Sequence, residues 1–132
     1  MREIKFRGLN EKWYFGKLII NTYKGGWINA IQFGNDLDDE DLELYIVNIF
    51  NSNSIGQYIG LRDDNDIEIY EGDMVISTYG KCHHEKEGLT RQGIVVYDMK
   101  TSSFKISIKD SAVLVGFYDV NKIEVIGNIF EN

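Results

Sequence analysis

Apolar and polar residues alternate with period two in one short stretch after another, and no long window keeps the 3.6-residue period of an amphipathic helix. Ile4 and Phe6 alternate with Glu3, Lys5 and Arg7; Trp13 to Asn21 is a longer aromatic and aliphatic run, and Trp27 to Phe33 is a third. Side chains on an extended backbone point alternately to opposite faces, so this pattern builds strands. A mainly β protein is expected. Tyr23-Lys24-Gly25-Gly26 separates the second and third runs, and paired glycines supply the positive φ of a tight turn. Trp13 to Phe33 therefore reads as a β-hairpin turning at Lys24 to Gly26, with Gly16 as a bulge or a close backbone approach.

The crowded acids from Asn35 to Glu43 favour a solvated loop or short turn. Tested as a calcium loop starting at Asp36, the segment places Asp41 where glycine is needed and Val47 where a bidentate Glu is needed. Leu44 to Phe50 resumes as a strand, and the polar break Asn51 to Ser54 is the expected boundary between an N-terminal β subdomain (1–53) and a second one (54–132). Beyond it, short runs alternate with polar turns: Gln57 to Leu61, Ile67 to Tyr70, Met74 to Tyr79, Gly93 to Tyr97, Phe104 to Ile108, Ala112 to Tyr118 and Ile123 to Phe130. Strands this short and closely spaced suit a small SH3-like or OB-like barrel better than a sandwich, and closure would remove exposed edges. The long connections are Gly80 to Thr90 and the surroundings of Lys109 to Ser111.

Charge is distributed unevenly: residues 1–34 carry six Lys/Arg against two Asp/Glu, residues 35–73 one against twelve, and residues 74–132 seven against seven. The resulting net charge of −7 argues against tight non-specific binding of duplex nucleic acid. A basic local face is still compatible with it. The apolar runs Leu18 to Ile20 and Ala112 to Val115 are far below the roughly 20 residues of a membrane span, and the first residues are charged; an unanchored location inside a cell is expected. The single cysteine permits no intramolecular disulfide and suits a reducing cytosol.

Candidate chemistry is sparse. Cys82, His83 and His84 are all zinc-ligand types, but sequence neighbours on one loop do not converge tetrahedrally, and the chain holds no other Cys or His to complete a site. A solvated loop is the expected reading, and the same adjacency argues against Cys82 as a nucleophile. Glu71 and Asp73 flank Gly72, which suits a turn better than an acid/base pair. No phosphate-loop, dinucleotide or Gly-x-Ser-x-Gly pattern is present, so neither catalysis nor a cofactor is expected. The remaining signal is aromatic: Trp13, Tyr14, Tyr23 and Trp27 lie among Lys12, Lys17 and Lys24, the mixture of rings and cations that single-stranded nucleic-acid binders use. The same rings would also fill a small β core. Alternation puts Trp13 and Phe15 on one face and Tyr14 on the other, so part of the set at most can be exposed.

Five blocks, in order along the chain, carry a family resemblance. They are Met1-Arg2-Glu3-Ile4-Lys5-Phe6-Arg7-Gly8, Trp13-Tyr14-Phe15-Gly16-Lys17-Leu18, Ser54-Ile55-Gly56-Gln57-Tyr58-Ile59-Gly60-Leu61, Ile69-Tyr70-Glu71-Gly72-Asp73-Met74-Val75 and Val125-Ile126-Gly127-Asn128-Ile129-Phe130-Glu131-Asn132. The chain resembles YopX-like proteins, small proteins of bacteriophages and prophages of Gram-positive bacteria. It departs from their pattern at Ile59, usually Thr, and at Asp66, usually Gly; Asp tolerates positive φ, so the turn is expected to survive. The resemblance implies a two-part, mainly β protein: a small N-terminal antiparallel β subdomain followed by an SH3-like β-barrel. It implies no reaction and supplies no catalytic residues. Gly60, Gly72 and Gly127 read as turn or bulge residues, and Asp73 as the acceptor of a backbone hydrogen bond in a turn.

The expectation is a non-catalytic phage or prophage accessory protein in the host cytoplasm that binds a host or phage protein. Single-stranded nucleic acid bound by the basic aromatic N-terminal sheet is the alternative, and a metal-dependent hydrolase a distant third. Seventeen aromatic residues are many for a core this small, which leans toward self-association through a sheet.

Overall fold

The computed structural model describes residues 3–23, 26–33, 46–50, 52–79 and 90–131, with backbone alone at 20–23, 26–28 and 52. The strands form two antiparallel sheets, and the described residues contain no α-helix. By its contacts the chain divides into two units, Met1–Tyr58 and Ile59–Asn132.

The first unit contains β1 (Phe6–Asn10), β2 (Lys12–Tyr23), β3 (Gly26–Gln32), β4 (Ile46–Asn48) and the start of β5 (Gly56–Arg62). Their order is β4-β3-β2-β1-β5. β1 turns into β2 through the single residue Glu11, whose φ of 64° lets Asn10 pair with Lys12. β2 then changes partner halfway: Lys12 to Gly16 pair with β1, and Lys17 to Tyr23 pair with β3. The change falls at Gly16, where an added Cβ would collide with the Gln32 carbonyl oxygen. Gly16 is thus a close backbone approach. The hairpin of β2 and β3 runs only from Lys17 opposite Gln32 to Tyr23 opposite Gly26, shorter than the expected Trp13 to Phe33, because Trp13 to Gly16 pair with β1 instead; Lys24 and Gly25 lie outside the described residues. Ile31 and Ile49 are buried over Gly8, where an added Cβ would be 2.7 Å from Ile49 Cγ1. A 3-10 turn at Ser52–Ser54 follows, and the buried Ser54 hydroxyl accepts the Leu9 N–H at 3.1 Å.

The second unit receives the end of β5 and contains β6 (Glu68–Tyr70), β7 (Asp73–Tyr79), β8 (Thr90–Asp98), β9 (Ser103–Ile108), β10 (Leu114–Gly116) and β11 (Val120–Asn128). Its five-stranded sheet runs β10-β9-β8-β7-β11, so β11 returns beside β7 although β8, β9 and β10 lie between them in sequence. Ile59, Ile69, Val75, Val95, Ile106, Ile108 and Ile123 form the core. Among the described strands neither sheet is closed into a barrel, whereas the shortness of the strands predicts closure. Alternation predicts which faces are apolar, but closure depends on pairing between the first and last strands, which no local pattern encodes. Ala112 to Tyr118 also differs from its single-strand reading: extended pairing ends at Gly116, and Phe117–Asp119 is a 3-10 turn. The Tyr118 ring lies over Gly116, where a Cβ would meet it at 2.9 Å.

One turn of this unit covers the outer edge of β11. Asp63 Oδ1 accepts the N–H groups of Asn65 and Ile67, both at 2.9 Å, which closes the turn; its Oδ2 accepts the Val125 N–H at 2.9 Å. Asp64 exchanges two bonds with Ile123, its N–H donating to the Ile123 carbonyl and its Oδ2 accepting the Ile123 N–H. Asp66 has φ of 65°, so the turn keeps its left-handed residue without glycine. Carboxylates here satisfy strand N–H groups that an open edge would present to another chain.

Candidate binding surfaces

The expected N-terminal binding residues are divided between the two faces of β2. Side chains directly opposite in an antiparallel pair share a face, so Leu9 with Trp13, Arg7 with Phe15, and Lys17 with Gln32 lie on one side. Lys12 and Tyr14 lie on the other. There the Lys12 ammonium is 5.3 Å from the Tyr14 ring centroid, and the Tyr14 ring is 5.2 Å from that of Phe33. On the first face the Arg7 guanidinium, which is buried, stacks 4.6 Å from the Trp13 ring centroid. Desolvated stacks of this kind contribute up to about 2 kcal/mol, so Arg7 and Trp13 are committed to the fold. The backbone of Tyr23 pairs with Gly26 and that of Trp27 with Thr22, but both side chains lie outside the description, as does all of Lys24. Cys82, His83 and His84 also lie outside the described residues.

In the second unit the buried carboxylates serve the backbone. Burial pushes the Asp63 carboxyl up, but hydrogen bonds from Val125, Ile67 and Asn65 outweigh it and hold the group below the ordinary Asp value. Asp73, almost fully buried, accepts the Tyr70 N–H at 2.8 Å. Gly72, at φ of 89°, donates to the Val95 carbonyl and accepts from Ile129. Gly60 has φ of 90°, and Gly127 sits at a register shift in β11. On the surface, hydrogen bonds from Lys105 and Thr101 hold Asp98 below its ordinary value. Among the described residues no three His, Cys, Asp or Glu side chains converge as metal ligands.

An apolar surface occurs on the face of the five-stranded sheet opposite its core. Register aligns Met74, Ile94, Ser107 and Leu114 in one row across β7, β8, β9 and β10, each adjacent in sequence to the core residues Val75, Val95, Ile106 or to Val115. Ile76, one row away, is 37% exposed and Leu114 43% exposed. A groove of about 420 Å³ opens along this face between Met74, Gln92, Ile94 and the Lys109 to Ser111 turn. Periodicity does not reveal this surface. Each strand alone shows intermittent apolar residues, and the row exists only once the register is set.

These features define a mainly β protein built on two open antiparallel sheets, with rings and cations on one and an apolar row on the other. The family model for YopX protein matches residues 5–132, and the chain belongs to that family. A search of curated proteins finds no match. No helix among the described residues is long and apolar enough to cross a membrane.

Proposed function

We propose that this YopX family member is a non-catalytic phage or prophage accessory protein that acts in the host cytoplasm by binding another protein. The observation that carries this reading is the apolar row Met74, Ile94 and Leu114 with the groove that Met74 and Ile94 line, because apolar patches rimmed by polar side chains are where protein partners dock. The rim is present here: Gln92, Lys109 and Ser111 border the groove. Buried ionisable groups support the same reading, since Asp63, Asp73 and Arg7 are engaged by backbone or ring partners within their own unit. The strand order supports reading the second unit as an SH3-like barrel left open: a four-strand meander, a 3-10 turn, then a last strand returning to the first. The reading calls for no cofactor.

The test is affinity capture from host lysate treated with nuclease, using the wild-type chain and a Leu114→Lys variant shown to melt normally. A protein retained after nuclease by the wild type and lost by the variant supports the proposal. Capture that needs nucleic acid, or that is equal for both chains, overturns it.

A further inference from the structure

The core-bearing face of the five-stranded sheet, opposite the apolar row, ends in a cavity of about 490 Å³. Its walls are Tyr79, Ile108, Val113 and Val115: Ile108 belongs to the core, Tyr79 and Val115 pack against it, and the Ile108 N–H donates to the Val113 carbonyl at 3.1 Å. Arg91 lines the same cavity because register sets it directly opposite the fully buried Ser77, and residues directly opposite share a face. Ser77 and Tyr79, two apart on β7, share that face as well. The Ser77 hydroxyl donates to Tyr79 Oη at 3.3 Å, which leaves the phenolic proton to a further acceptor. Among the described residues neither that proton nor the Arg91 guanidinium has a partner.

Apolar walls beside an arginine and a phenolic donor suit a ligand with an aliphatic body and an anionic end. Lys109 and Asp110, in the turn at the rim, offset one another, so Arg91 leaves the site with a single positive charge. A carboxylate neutralises that charge, whereas a phosphate dianion exceeds it and is opposed by Asp110. We propose that this cavity binds an aliphatic monocarboxylate, its chain among Ile108, Val113 and Val115 and its oxygens on the Arg91 guanidinium and the Tyr79 hydroxyl. A free aliphatic acid and the C-terminus of a peptide ending in an aliphatic residue present this same chemistry. The site does not rest on the protein-binding row, since Leu114 is not among the residues that line it.

Isothermal titration calorimetry of the full chain with octanoate tests the assignment, with octylamine and inorganic phosphate as controls. Each buried methylene tightens binding about fourfold, so hexanoate should bind about fifteenfold more weakly than octanoate. Arg91→Gln should weaken octanoate binding by about tenfold or more, and Tyr79→Phe by a smaller factor. Lys122→Gln, which removes the same charge opposite Thr78 on the other face, and Leu114→Lys should leave it unchanged. A tripeptide ending in leucine, as free acid and as amide, separates the two sources: displacement of octanoate by the free acid alone assigns the cavity to a chain terminus, and no displacement assigns it to a free aliphatic acid. The proposal is overturned by no saturation up to about 10 mM octanoate, by octylamine, phosphate or the peptide amide binding as well as octanoate, by equal affinity for hexanoate, by equal losses in the Arg91 and Lys122 variants, or by unchanged affinity in a normally melting Arg91→Gln chain. Retention or loss of a protein partner by Leu114→Lys does not enter any of these outcomes.

Discussion

The carboxylate of Asp63 accepts the amide N–H of Val125 at 2.9 Å across 62 positions of sequence, while its other oxygen closes the turn it sits in. One side chain thus fixes the turn between β5 and β6 and attaches it to the edge of β11. Three backbone donors on one buried carboxylate favour its charged form.

Asp63→Asn retains the shape but loses the charge and half of the acceptor capacity, and is expected to destabilise the protein by about 2 kcal/mol at pH 7. The native carboxyl titrates below its unfolded value, so its contribution is complete above the unfolded pKa and is lost as pH falls through the lower folded one. Denaturant melts from pH 7 down to the acid range below the folded pKa should show the wild type losing stability at the acid end. The Asp63→Asn variant should show a shallower loss there, and an unchanged slope would refute the assignment.

Gly16→Ala is expected to destabilise by about 1–3 kcal/mol, because a Cβ at this position overlaps the Gln32 carbonyl and cannot be accommodated without parting β2 from β3. Thermal melting checks it, and hydrogen exchange should show the loss concentrated at the pairs from Lys17–Gln32 to Asn21–Ile28.

Gly72→Ala combines two faults: φ of 89° and a Cβ 2.8 Å from Phe130 Cε2. Removing the ring separates them. Phe130→Leu in the Gly72→Ala background should recover only the steric part, leaving about 1 kcal/mol of backbone strain. Full recovery in the double variant would mean that the glycine serves the ring alone.

Zinc is expected far below one equivalent per chain by elemental analysis, and Cys82→Ser should melt within about a degree of the wild type, since Cys82, His83 and His84 have no other Cys or His in the chain to join. Stoichiometric zinc would refute this and favour the metal-dependent reading.

Light scattering coupled to size exclusion should give a mass above 15.2 kDa at high concentration if a second copy covers exposed aromatic or apolar surface. A constant 15.2 kDa would leave that surface to a different partner.

Much of this molecule was legible in the residues. Trp13 and Phe15 fall on one face of β2 and Tyr14 on the other, as period-two alternation requires. Gly16 makes the close approach its place in a strand suggested, and Asp66 adopts the left-handed turn conformation in place of the glycine usual in the family. The binding surfaces were harder to read. Lys12, Tyr14 and Lys17 are close in sequence yet lie on different faces, whereas Lys17 and Gln32, distant in sequence, stand opposite one another across β2 and β3.

Local pattern by itself determined that this chain is mainly β, where most strands and turns fall, and which residues of a strand share a face. All of these follow from the two-residue repeat of an extended backbone and the φ preferences of Gly and Asp. Only the tertiary structure decided which strands are neighbours and in what register, hence the open sheets, the Asp63 link to Val125 and the apolar row. Strand pairing is a choice among distant partners, made by burial and backbone hydrogen bonding together, and a one-residue slip would have exchanged every face.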